Sequence, residues 1–210
     1  MRFGGVFLIV MLGCFESCVG NAIAAGPPDR ASQLRPVAAF SKIHNEQARS
    51  VALFTEAAKV ITNPRCMNCH PATRQPTQGD DLHPHIPLMF AGAADHGAPG
   101  LPCGSCHGIA NVATLGSGIA SVPGNPRWSL APVSMAWQGK TLHEICEQIK
   151  DPRRNGGRSL SEIHKHMGTD KLVGWAWRPG AGRAAAPGTQ SELGRLIEAW
   201  ISTGAYCPQS

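Results

Sequence analysis

The sequence of 210 residues is poor in aromatic side chains, at 6%, and in charged ones, at 16%. So few aromatics leave little bulk for a conventional core, although 42% apolar residues still mark a globular chain rather than a disordered or fibrous one. Basic runs are absent, so the formal net charge of +5 has no patch in which to meet nucleic acid or an anionic membrane surface. Strand-like alternation is nearly missing, which removes the βαβ frame of a thioredoxin-like thiol exchanger. No apolar run is long enough to cross a bilayer.

The first 24 residues are set apart from the rest. Arg2 gives a basic start, Val6 to Val10 with Met11 and Leu12 form a short apolar run, and Ala22-Ile23-Ala24 is a small-x-small cleavage site. Residues 1–24 are therefore expected to be a secretory signal peptide that sends the chain to the periplasm. A lipid anchor at Cys14 would need a leucine where Met11 stands. Cleavage would remove one Arg and one Glu, leaving the net charge unchanged, and would take Cys14 and Cys18 with it. Residues 25–210 are expected to form one mostly α, loop-rich domain, opening with a Pro- and Gly-containing arm to about Pro36.

Helical periodicity begins with Val51, Phe54, Ala58 and Ile61 and stops at Asn63-Pro64. Between His70 and Lys140 the chain is crowded with Pro and Gly and has no sustained period, which an apolar-core protein could not easily fold. Three helix starts follow. Thr141 to Glu144 and Ser159 to Glu162 are capping-box patterns, the first leading into an apolar stripe of Leu142, Ile145, Cys146 and Ile149 that turns Cys146 inward. The second leads to Ile163, His164, His166 and Met167, with Gly168 expected at the helix exit. Thr189 to Glu192 opens a last helix with Leu193, Leu196, Ile197, Trp200 and Ile201 on one face, expected to pack on the first helix.

Cys66-Met67-Asn68-Cys69-His70 and Cys103-Gly104-Ser105-Cys106-His107 carry the chemistry. Two thiols at this spacing can add across the two vinyl groups on one edge of a haem, and the histidine directly after the second thiol can swing under the iron. Two complete matches behind a signal peptide imply two covalent haems c, with His70 and His107 as proximal ligands. Each macrocycle is also a large apolar body that loops can wrap, which answers the shortage of core. Two haems would add about four propionate carboxylates and nearly cancel the positive excess.

A zinc site could use the same four thiols, but Cys69 and Cys103 stand 34 positions apart and neither motif would need its histidine. A di-haem peroxidase would resemble two cytochrome domains in tandem, whereas these motifs start 37 positions apart. Cys146 and Cys207 remain as an even pair in an oxidising compartment, either as a disulfide or as two buried thiols. For the sixth iron ligands the field is wide: Met89, Met135, Met167, His44, His83, His85, His96, His143, His164 and His166. His85, in the stiff run His83-Pro84-His85-Ile86-Pro87, and His166, beside Met167 at a helix end, lead; Met135 follows, in a loop preceded by Pro132. At least one haem is expected to be bis-histidine ligated. Trp175 and Trp177 are supporting residues for core packing or a haem edge.

The segments His83-Pro84-His85, His96 to Gly100, Ile145 to Pro152, Asn155 to Arg158, Val173 to Trp177 and Pro187 to Gln190 resemble a family of bacterial di-haem cytochromes labelled isoquinoline 1-oxidoreductase subunits. The likeness covers most of the chain after residue 24. It implies a cytochrome c-like fold and transfer of electrons between a redox donor and a redox acceptor, with a molybdenum hydroxylase as the partner that supplies them. This chain is too small to hold a molybdopterin domain, so an electron carrier and not an enzyme is expected. At about 185 residues the radius of gyration should be roughly 16 Å, which keeps the two haems close.

Overall fold

A computed structural model describes Met1, residues 33–116 and residues 118–210. The proposed signal segment beyond Met1, and the arm up to residue 32, lie outside the described residues. The described chain is helix-rich with little sheet. Five α-helices, α1 (Glu46–Ile61), α2 (Pro64–Met67), α3 (Leu142–Lys150), α4 (Leu160–Thr169) and α5 (Gln190–Ser202), frame a long central stretch. Among the described residues that stretch holds three antiparallel two-stranded ribbons. They pair β1 (Thr77–Gln78) with β2 (His83–Pro84), β3 (Gly97–Ala98) with β4 (Leu101–Pro102), and β5 (Val112–Ala113) with β6 (Ser121–Val122). No helix among the described residues is long and apolar enough to cross a membrane.

The helices start where local chemistry says they should. Asn45 caps α1 by accepting from the Ala48 N–H at 2.8 Å, and the Thr141–Glu144 and Ser159–Glu162 capping boxes close in both directions. Thr189 caps α5 through the Glu192 N–H. At the end of α1, Asn63 and Pro64 do not simply stop the chain: Asn63 caps α2 at the Arg65 N–H, with Pro64 in its first turn, so the Cys66 motif opens on a second short helix.

α5 packs on both α1 and α4. Phe54 and Trp200 meet at 4.9 Å between ring centres, surrounded by the buried Leu53, Ile61, Ile145, Ile149, Ile163 and Leu196. Leu34 and Phe40, on the arm before α1, are buried in the same cluster. Gly168, expected at the helix exit, instead lies inside α4, where a Cβ would stand 3.0 Å from the Cα of Gly194 on α5. The two glycines let these helices touch along their backbones.

Cys146 is fully buried and forms a disulfide with Cys207, tying α3 to the C-terminal segment. Closing a loop over a sequence separation of 61 stabilises the fold, through the unfolded chain, by roughly 4 kcal/mol in the chain-entropy model. Between α3 and α4 the buried Asn155 donates to the carbonyls of Ile149 and Arg158 at 2.7 and 2.8 Å and accepts from the Arg158 N–H, folding the Gly156-Gly157 turn.

Candidate functional site

Each Cys-x-x-Cys-His motif lines a cavity of its own. The first, of about 460 Å³, contains Cys66, Cys69 and His70, and its wall is the helical core: Ile61 from α1, Ile149 from α3, Ile163 and Met167 from α4, Leu193 from α5. The second, of about 500 Å³, contains Cys103, Cys106 and His107 and is walled by the ribbons and loops. Both volumes fall within the roughly 300–1,000 Å³ of small-molecule and cofactor pockets.

His70 is held from two sides. Its Nδ1 lies 2.7 Å from the carbonyl oxygen of Met135, and its ring stacks on the buried Trp137 at 3.6 Å and 3°. A carbonyl can only accept, so Nδ1 carries the proton and Nε2 keeps its lone pair, the arrangement a metal-binding imidazole needs. His107 repeats the device: its Nδ1 donates to the Pro123 carbonyl at 2.7 Å and its ring stacks on Trp128 at 4.8 Å and 18°. Burial pushes His70 down to about 4 and lowers His107 as well, so both imidazoles are neutral near pH 7.

Further histidines line each of the two cavities. His85 lies 5.9 Å from His107 between ring centres, and its Nδ1 is fixed on the Pro87 carbonyl at 2.8 Å. Two imidazoles binding one metal from opposite sides, each nitrogen about 2 Å from it, would have centres roughly 6 Å apart. On the other side His166 lines the cavity of His70, with Nδ1 3.6 Å from Asp170 Oδ2; burial first, and then Arg158, lowers its pKa. His96 and Met167 line that cavity too. Met135 is buried there, but its carbonyl holds His70 and so puts its backbone behind that ring. His44, His143 and His164 line neither cavity, whereas His83 and Met89 line the second.

The ribbons that bring His85 to His107 are built off the first motif. Asn68, between Cys66 and Cys69, donates to the Gly79 carbonyl and accepts from Thr77 Oγ1, anchoring β1; the His85 N–H then bonds the Pro76 carbonyl at 3.0 Å. Before the second motif, the Cys103 N–H bonds the His96 carbonyl at 2.7 Å across the β3–β4 ribbon. Gly97, at φ +113°, permits that approach, since a Cβ there would stand 2.7 Å from the Cys103 nitrogen.

Four residues line both cavities: Arg65, Trp128, Ser129 and Leu130. Trp128 stacks on His107 and meets Trp175, which lines the first cavity, edge to face at 5.0 Å. Sequence reasoning finds Trp175 as a supporting residue but misses Trp128, Trp137 and Arg65; only the position of Arg65 directly before Cys66 hints at its place.

The four motif cysteines carry no disulfide. As free thiols, Cys66 and Cys69 are pushed up to about 12 and about 11 by burial, which keeps them protonated. Two buried donors on the cavity walls lack an aligned hydrogen bond: Trp137 Nε1, and Arg65 Nη2, which is ion-paired with Asp80. On the second cavity the apolar Ile86, Phe90, Leu101 and Ile119 stay between 45 and 66% exposed. Apolar walls with a buried guanidinium among them fit a flat apolar ring with acidic side arms, which is the chemistry of haem. Compared with known proteins, the chain matches no family model, no curated protein and no solved structure.

Proposed function

We propose that this chain is a di-haem c-type cytochrome: an electron carrier with a cytochrome c-like arrangement of helices and loops around two covalent haems. The observation that carries the reading is the pairing within each cavity of a complete Cys-x-x-Cys-His motif with a further histidine. Cys66 and Cys69 would hold one haem and Cys103 and Cys106 the other, each through two thioether bonds, with His70 and His107 as proximal ligands and His166 and His85 opposite them. A bound haem supplies the one-electron Fe(III)/Fe(II) couple. The chain's own part is to fix each imidazole on a backbone carbonyl, to exclude water with apolar walls, and to present ligands that need not move when the charge changes.

Rival chemistries have less support. A zinc module needs three or four converging ligands, and among the described residues no group of three His, Cys, Asp or Glu side chains is placed to hold a metal ion. Thiol exchange wants a thiolate, whereas burial holds Cys66 and Cys69 protonated. A peroxidase needs one open iron position, and each cavity has further histidines besides that of its motif, His83 and His85 in one and His96 and His166 in the other.

The expected signal segment supports the periplasm as the place of work. Redox proteins are the partners, with a molybdenum hydroxylase as the electron source if the family resemblance extends to partnership. The test is direct: the protein, matured in a bacterial periplasm, should gain the mass of two haems and give a Soret band with sharp bands on reduction. One haem, or none, would defeat the assignment.

A further inference from the structure

Arg65 is the most buried cation in the structure whose charge the protein itself leaves poorly answered. Its side chain is only 2% exposed and forms part of the wall of both cavities. The protein offers it one counter-ion: Nη2 ion-pairs with Oδ1 of Asp80, but without the alignment of a hydrogen bond, and the Asp80 side chain is 66% exposed. A carboxylate so open to water neutralises a buried guanidinium weakly. Arg183 adds a second positive charge to the wall of the Cys103 cavity, near enough to repel Arg65, and its own guanidinium bonds only neutral oxygens, of Ser121 and Pro179. The other arginines of the first cavity line that cavity alone: Arg127 is paired with Asp170, and Arg158, which bonds the carbonyl of Asn155, acts on His70 and His166.

Resting on the haem reading, we propose that Arg65 is a counter-charge shared by the two haems, its planar fork binding haem propionate and its position in the common wall placing one positive charge beside both irons. Guanidinium suits the task because its five donors meet carboxylates two at a time and its charge is not lost at any working pH. A fixed positive charge favours the electron-rich ferrous state, and at this position it does so for both haems together. Arg183, on one wall only, acts on the Cys103 haem alone.

The experiment begins with wild-type protein shown by mass to carry two haems; without them the haem reading itself fails, before Arg65 is in question. Potentiometric titration then follows both haems in Arg65→Gln, Arg65→Lys and Arg183→Gln. The expected result is that Arg65→Gln lowers both midpoint potentials, Arg65→Lys restores most of the shift, and Arg183→Gln lowers only that of the Cys103 haem. The propionate bending modes in resonance Raman spectra should move in Arg65→Gln. A shift at one haem or neither, or an equal shift with lysine, overturns the proposal. Should Arg65→Gln fail to mature, Asp80→Asn decides: little change in haem content and stability is expected, and a large loss would show that Asp80, not propionate, answers the charge.

Discussion

Cys66 and Cys69 sit on and just after a short helix whose Met67 is buried in the core, and all four of the other helices contribute to the wall of their cavity. Cys103 and Cys106 sit on and just after a 3-10 turn with no buried residue, between ribbons of two residues a strand. The same five-residue motif is thus supported in one place by a packed core and in the other by loops. What differs is the source of rigidity. Around His70 a packed core supplies it, with Trp137 only 4% exposed beneath the ring; around His107 the apolar Ile86, Phe90 and Leu101 stay about half exposed, so the proposed haem would complete their packing.

The strongest way to break this contrast is to remove one attachment at a time. Replacing Cys66 and Cys69 by Ser should leave one haem by mass and lower the stability of the whole molecule by at least the roughly 3–5 kcal/mol of a large core deletion. Replacing Cys103 and Cys106 should also leave one haem, yet mainly raise hydrogen exchange and proteolysis between residues 71 and 130. Denaturant melts with equal global losses in the two double variants would erase the distinction.

A smaller, local effect is expected at the ligands opposite the proximal histidines. His166→Ala should turn only the Cys66 haem high-spin and open to added ligands, and His85→Ala only the Cys103 haem, with both covalent attachments intact. Low-spin spectra unchanged in both variants would mean that other side chains, His96 or Met167 in the first cavity and His83 or Met89 in the second, hold those positions.

The mildest test is pH, read on the chain before haem is attached, when these imidazoles are free of iron. His70, lowered by burial to about 4 from the ordinary histidine value near 6.5, binds a proton more readily in the unfolded chain than in the folded one. Stability is then full above about pH 6.5 and declines as pH falls toward 4, by on the order of 1–2 kcal/mol with allowance for water in the cavity. His107 and His166 act in the same direction. Between pH 6.5 and 5.5 the carboxylates are still ionised, so a flat stability curve there, by urea unfolding, would contradict the burial of these rings.

Sequence pattern makes local features legible. Asn63-Pro64, Thr141 with Glu144 and Ser159 with Glu162 act over three or four residues, and each sits at a helix boundary. The motif residues are legible for the same reason, since Cys-x-x-Cys-His is a contiguous pattern. The facing of His85 on His107 is not, because it depends on an Asn68 side chain holding a ribbon too short to have a period. Gly168 misleads: a glycine near a helix end suits an exit as well as a helix crossing, and only its contact with Gly194 tells them apart. Arg65 is invisible to pattern because charge beside a motif says nothing of burial.

The Cys146–Cys207 bond also gives the molecule a closed covalent circuit, from α3 through α4 and α5 and back. His166, Arg183 and the whole of the α4–α5 contact lie inside that circuit. A single backbone cut anywhere between residues 146 and 207 therefore releases nothing: the two pieces stay one molecule, and the wall of the first cavity that α4 and α5 build stays tethered beside α3. This segment of the protein therefore tolerates nicking, while a cut among the ribbons from 77 to 122 falls outside the circuit and depends on other bonds to hold the ends together.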